Sequence, residues 1–332
     1  MTLKTGAAPH IRRTDRACHM SADVLITLVP LCIFSAVYYG MRPVLLVLAG
    51  MLSAMFCETV CCLLMRRRPT VIDGTAAVTG GLVGAMMSPL SPYWLPMLAA
   101  AFAIVVVKMP FGGTGRNVFN PAAAGMAVAT LCFAERLFAY PDPSRTNPLP
   151  LDSVAGVVAV QSPAASLQAH ANSAFNWHTL LFGDIPGPIG ATAIAVLAAC
   201  ALYLFVRRSA SPLITLPYLA VCVLAAVWFP RTAGSWQNSV LLELSSGYLL
   251  FCGVFLLTDP VTAPRHWLGR VVYGVLAGVL VMTLRHAGKY EAGACFAVLL
   301  VNAFAPVLDR WCWRLVHTAG KAIRRRKAGI SA

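Results

Sequence analysis

Charge is scarce in this chain. Only 11% of its 332 residues are Asp, Glu, Lys or Arg, and 58% are apolar, where an ordinary soluble domain carries roughly 25% charged residues. That excludes a water-soluble globule and leaves an integral membrane protein. Acidic residues are the rarer sign: 12 Asp and Glu stand against 26 Lys and Arg, a net charge of +14. The basic excess forms no single patch, so it does not imply nucleic acid. It gathers at the ends of apolar runs, where membrane topology places it.

Other absences narrow the chemistry. The eleven cysteines contain no CxxC pair, and Cys32, Cys57, Cys61, Cys62, Cys132, Cys200, Cys222, Cys252 and Cys295 fall inside apolar runs. Cys57 and Cys61 are spaced to share a helix face as ligands, but free cysteine ordinarily packs as a small hydrophobe, and no metal is expected. The glycine-rich stretch near residue 112 is not followed by Gly-Lys-Ser/Thr, so it is no Walker loop, and no dinucleotide fingerprint is present. The first apolar run has no small-residue cleavage site after it, so the first helix is expected to stay in the mature protein.

A transmembrane helix needs about 20 apolar residues. Ten segments are predicted on that basis, at 21–39, 43–65, 73–90, 93–109, 118–135, 187–206, 212–229, 239–257, 268–284 and 291–308. With residues 1–20 inside, all basic residues but Arg42, Arg136, Arg145, Arg231, Arg285 and Lys289 fall in inside segments. That bias gives ten helices with both ends cytoplasmic. The expected fold is an all-α polytopic membrane protein. "SPLSP" at 88–92 and "TDPVTAP" at 258–264 each follow the third helix of a five-helix half. An odd number of spans per half inverts the second, so two inverted repeats, 21–135 and 187–308, are expected, with a functional site at their interface. Residues 136–186 form a long polar extracytoplasmic loop, and 309–332 a basic cytoplasmic tail bearing Trp311 and Trp313.

Three features bear on chemistry. "KMPFGGTGRNVFNPAAAG", residues 108–125, sets Gly112, Gly113 and Arg116 just before a helix. Glycine admits close backbone approach and a helix start offers free N–H groups, which suits a phosphate or a flavin ring edge. A helix cap by Asn117 or Asn120 accounts for the spacing equally well. "DGTAAVTGG" at 73–81 and the glycines of 288–311 read as close helix packing. Glu58 and Glu243 lie inside predicted spans, where a carboxylate is costly unless paired, protonated or wetted. Glu58 is the candidate for an ion path, and Glu243 stands near the outer end of its helix.

"FGGTGRNVFNPAAAG", "LFGDIPGPIGAT", "LLTDPVTAP" and "KYEAGACFAVLLVNAFAPVLDRW" occur in order along the chain, and together they resemble the RnfD and NqrB family. These are flavin-bearing membrane subunits of the Rnf complex and of the sodium-pumping quinone reductase. The RnfD branch is nearer, since NqrB proteins carry a longer N-terminal extension. The resemblance implies the RnfD-type membrane component of an ion-translocating ferredoxin:NAD oxidoreductase in the bacterial inner membrane. It would move Na⁺ or H⁺ and work with subunits of the A, B, C, E and G types, leaving ferredoxin and NAD to them.

The resemblance also implies an FMN, attached as a phosphoester by a separate flavin transferase to a hydroxyl residue in the 136–186 loop. That residue is usually the threonine of a Ser-Gly-Ala-Thr-like run. Whether a second, non-covalent flavin such as riboflavin sits near Arg116 and Asn120 is left open by the sequence. This chain departs from the pattern, because no threonine lies between Thr146 and Thr179. Reading "PAASL" against "SGATL" makes Ser166 the acceptor. Ser162 is the fallback, since "SPAA" begins like "SGAT" but ends without a hydroxyl. Two other readings are a flavin-free solute channel or transporter built on inverted repeats, and an NqrB-like subunit.

Overall fold

A computed structural model describes residues 17–67, 70–143, 149–151, 154, 156–169, 176–232, 236–288, 291 and 293–330. Among these the regular elements are helices, with one isolated bridge between Tyr140 and Val160. In order they are α1 (Ala17–Tyr39), α2 (Arg42–Leu64), α3 (Thr75–Ala85), α4 (Trp94–Phe102, continued by a π turn, Ala103–Lys108) and α5 (Pro121–Leu137). The far loop carries α6 (Pro163–Gln168) and α7 (Trp177–Phe182). There follow α8 (Ile194–Val206), α9 (Pro212–Trp228), α10 (Trp236–Ser245), α11 (Leu249–Phe251, continued by a π turn, Cys252–Leu256), α12 (Trp267–Ala287) and α13 (Gly293–Ile330). The molecule is an all-α polytopic membrane protein. Helices α1, α2 and α12 and the Gly293–Val316 part of α13 are each long and apolar enough to cross a bilayer.

Three predicted spans turn out to be shorter helices joined to irregular backbone. Helix α3 ends at Ala85 instead of residue 90. At 1.5 Å per residue its length is about 16 Å, half of a bilayer core of about 30 Å. The chain then unwinds through Pro89 and Pro92. The side chain of the buried Arg42 donates to the carbonyls of Pro89 and Ser91, each at 3.1 Å, and to Leu151 at 2.9 Å. The span expected from residue 187 becomes helical only at Ile194. Its buried N–H groups at Gly190 and Ile189 bond the carbonyls of Ala85 and Met87 at 2.7 and 3.0 Å. The span expected at 239–257 is broken, α10 and α11 meeting at 66° around Gly247 with φ +61°. Irregular backbone survives away from water only where protein satisfies it, and these three breaks satisfy each other. The hydroxyl of Tyr248 adds a bond to Met86 O at 2.8 Å.

The small residues of 73–81 pack as expected. Gly80 and Gly84 of α3 lie on α2 so closely that a Cβ at Gly80 would stand 2.2 Å from Gly50 O. Helix α13 runs unbroken past residue 309 to Ile330.

Candidate functional site

The two π turns end on the same side of the protein, the side on which α1 begins, and between them lies a partly open cavity of about 160 Å³. A π turn shifts register and leaves carbonyls without helical partners, and such turns recur at functional sites. Here Thr215 and Tyr218 of α9 donate to Gly253 O and Leu249 O at 2.9 and 3.0 Å. The first turns of α1, α3 and α5 and the last turns of α4, α8 and α11 all contribute to the wall. Asp23 braces one edge, accepting from Arg207 Nε at 3.1 Å, from Tyr203 Oη at 3.3 Å, and from Ser209.

The glycine-rich loop closes the cavity from below α5. Gly112, Gly113 and Gly115 have φ of +112°, +87° and +87°, which accounts for glycine there by conformation, since no atom lies within 4 Å of a Cβ at Gly113 or Gly115. Gly112 stays outside the cavity wall: its carbonyl accepts from Arg67 at 3.3 Å, and the Arg116 side chain folds over it and is exposed. Asn120 is a helix cap. Its Oδ1 accepts from Ala123 N at 3.1 Å and its Nδ2 donates to Leu256 O at 3.0 Å, which ties α5 to the π turn of α11. Asn117 lines the cavity as Asn120 does, but its buried amide oxygen has no hydrogen-bond partner. A buried polar atom left this way costs about 1–3 kcal/mol, which a donor reaching it from a bound ligand would offset.

Beside the cavity, Lys108 and Glu58 form an ion pair at 2.8 Å, with side chains 2% and 0% exposed. Lys108 Nζ also donates to Thr75 Oγ1 at 2.8 Å, and Thr70 donates to the other oxygen of Glu58. Glu58 is therefore fixed and neutralised. Lys108 is the partner that sequence reading missed, because a lone lysine at the end of an apolar run looks like a snorkelling topology signal. Glu243 is likewise paired, with Arg231 at 2.5 Å and Arg285 at 3.4 Å.

Ser162 and Ser166 lie on the opposite side, in α6. Ser162 caps α6 by accepting from Ala165 N at 3.1 Å and donates to Glu291. Glu291 also accepts from Tyr140 Oη at 3.0 Å. Burial raises the Glu291 carboxyl above its ordinary value, and the bonds from Ser162 and Tyr140 only partly oppose this. Ser166 turns its hydroxyl back onto the carbonyls of Pro163 and Ser162, at 2.9 and 3.3 Å. Both serines are buried, at 3% and 6% exposure. Neither hydroxyl fits a flavin phosphoester as folded, whereas the cavity wall holds an unpartnered acceptor, the Asn117 amide oxygen, among apolar side chains. The structure thus joins Asn117 and Asn120 in one site and keeps Ser162 and Ser166 at another.

Together these features describe a polytopic membrane protein in which broken helices enclose a small, mainly apolar cavity with a few polar groups in its wall. Residues 4–316 match the family described as "NQR2, RnfD, RnfE family", and the chain belongs to it. Its relatives include the D component of the "Ion-translocating oxidoreductase complex" of Pseudomonas aeruginosa, 32% identical with 99% of this chain and 100% of the relative covered. The protein of the same name in Shewanella sediminis is 29% identical, covering 94% and 97%. The D component of the "Proton-translocating ferredoxin:NAD(+) oxidoreductase complex" of Clostridium ljungdahlii is 24% identical, covering 92% and 93%.

Proposed function

We propose that this chain is the RnfD-type component of an Rnf ferredoxin:NAD oxidoreductase that moves Na⁺ or H⁺ across a bacterial inner membrane, and that its cavity holds a non-covalent flavin. The observation that carries this reading is the buried, unpartnered Asn117 amide in the cavity wall, in a chain whose relatives over its whole length are named as subunits of ion-translocating oxidoreductases. A flavin bound there would supply one- and two-electron transfer. The chain's own residues would do the rest. Asn117 would offer its amide to the flavin, Val78, Leu82 and Phe255 would give it apolar contact, and Asn120 ties α5 to the π turn of α11.

The charge of the cavity favours a flavin without phosphate, riboflavin over FMN. Among the described residues lining it, Lys108 is the one cation, and Glu58 already neutralises it. Arg116, the natural phosphate partner by sequence, does not line the cavity. The ion path is assigned to Glu58. A coupling cation reaching that carboxylate would compete with the Lys108 ammonium that now pairs with it. Other Rnf subunits of the A, B, C, E and G types supply the iron–sulfur and nucleotide chemistry. Both termini are cytoplasmic in this reading, which places the cavity at the cytoplasmic side and α6 outside.

The complex, purified in mild detergent and denatured with acid, should release a flavin that Asn117→Leu depletes several-fold while the subunit remains assembled. Wild-type complex that releases no flavin, or an Asn117→Leu complex with unchanged flavin content and redox spectrum, refutes the cavity assignment.

A further inference from the structure

We infer that this subunit takes no covalent flavin on α6 or its cap, because the position of that segment where an acceptor hydroxyl could be reached is occupied by Ala165. The inference rests on membership of the family, and not on what fills the cavity described above.

Helix α6 is short and mostly buried. Ser162, Pro163, Ala164, Ser166 and Leu167 are all buried, and Ala165 is the position of its first turn that reaches the surface in part. Read as the counterpart of Ser-Gly-Ala-Thr, the run Ser162-Pro163-Ala164-Ala165 puts this alanine where the threonine would stand. In this register the motif and the backbone meet at a position that carries no oxygen, whereas the "PAASL" register falls on Ser166, whose hydroxyl is buried.

The two neighbouring serines do not replace it. Esterifying Ser162 would bond its oxygen to phosphorus and release its proton, which removes the hydrogen bond to Glu291. It would also set a phosphodiester anion beside a carboxylate that is itself 7% exposed, and like charges in a poorly solvated site repel strongly. Esterifying Ser166 would remove the bonds to Ser162 O and Pro163 O. Its oxygen reaches a donor only if α6 unwinds, and α6 is held by the Ser162 cap and by Leu167, which packs fully buried with Leu180, Ile185 and Leu242. In this chain α6 acts as a closure: Ser162, Glu291 and Tyr140 join the far loop to the chain just before α13.

The complex is expressed with an active flavin transferase as wild type, as Ala165→Thr and as the smaller Ala165→Ser. Covalent flavin is read by in-gel fluorescence after denaturation and located by peptide mass spectrometry. The wild type should show none on residues 162–168. The variants should gain an FMN mass on residue 165, the new hydroxyl oxygen displacing the nucleotide of a flavin phosphoanhydride donor as its proton passes to solvent. An adduct on Ser162 or Ser166 of the wild type overturns the inference. So do blank lanes for both variants when a threonine-bearing relative is labelled in the same cells. Acid-released flavin is counted separately, so failure here and failure of the cavity assignment are distinguishable.

Discussion

Removing either member of the Lys108–Glu58 pair strands the other as a buried charge. The pair is nearly inaccessible, with Nζ and Oε2 at 2.8 Å. Breaking such a pair on one side costs about 3–5 kcal/mol, whereas replacing both charges together is often nearly neutral. Lys108 also borders the cavity, where the ammonium left by Glu58→Gln can turn, so the lower end, about 3 kcal/mol, is expected for that variant. Lys108→Met should sit nearer the upper end, since Glu58 then keeps only the Thr70 hydrogen bond. The double variant should lose far less than the two together, with a coupling of at least about 2 kcal/mol. Equilibrium unfolding in mixed micelles, followed by tryptophan fluorescence, measures all four proteins. Single variants within about 1 kcal/mol of wild type, or a strictly additive double variant, would refute the claim that the pair is desolvated and mutually dependent.

Three further outcomes follow from the geometry. Gly80→Ala puts a Cβ 2.2 Å from Gly50 O and 2.8 Å from Met51 Cα; both are backbone, so a loss of about 3 kcal/mol is expected in the same unfolding assay. Asn120→Ala removes a helix cap and the bond to Leu256 O, which together contribute about 2 kcal/mol, and it should lower the midpoint of thermal unfolding. For Glu291 the sign comes from its raised folded-state value. A group shifted upward stabilises the fold below its unfolded pKa of 4.5 and loses that contribution as pH rises through the folded value. Wild-type midpoints should therefore fall with pH across this window, and Glu291→Gln should flatten the dependence; parallel curves for the two proteins would contradict it.

Composition alone determined that this is a helical membrane protein, because few charges and long apolar runs have no other stable home than lipid. The sequence likewise placed the glycine-rich turn before α5, since φ values near +90° at Gly113 and Gly115 are a local demand on residue type. Close packing of the small residues of 73–81 was legible too, because only small residues allow backbones so near, but their partner, Gly50 of α2, was not. What the one-dimensional pattern misjudged was span length: hydropathy counts apolar residues and is blind to whether Ser88–Pro92 or Ile185–Ala193 stays helical. Their unwinding is stable only because Arg42, Tyr248 and the Ala85 and Met87 carbonyls arrive from distant parts of the chain. The same distance hid the pairing of Glu58 with Lys108, fifty residues apart. It also hid the difference between Asn117 and Asn120, three residues apart in the same cavity wall, where tertiary contacts alone decide which amide oxygen is satisfied.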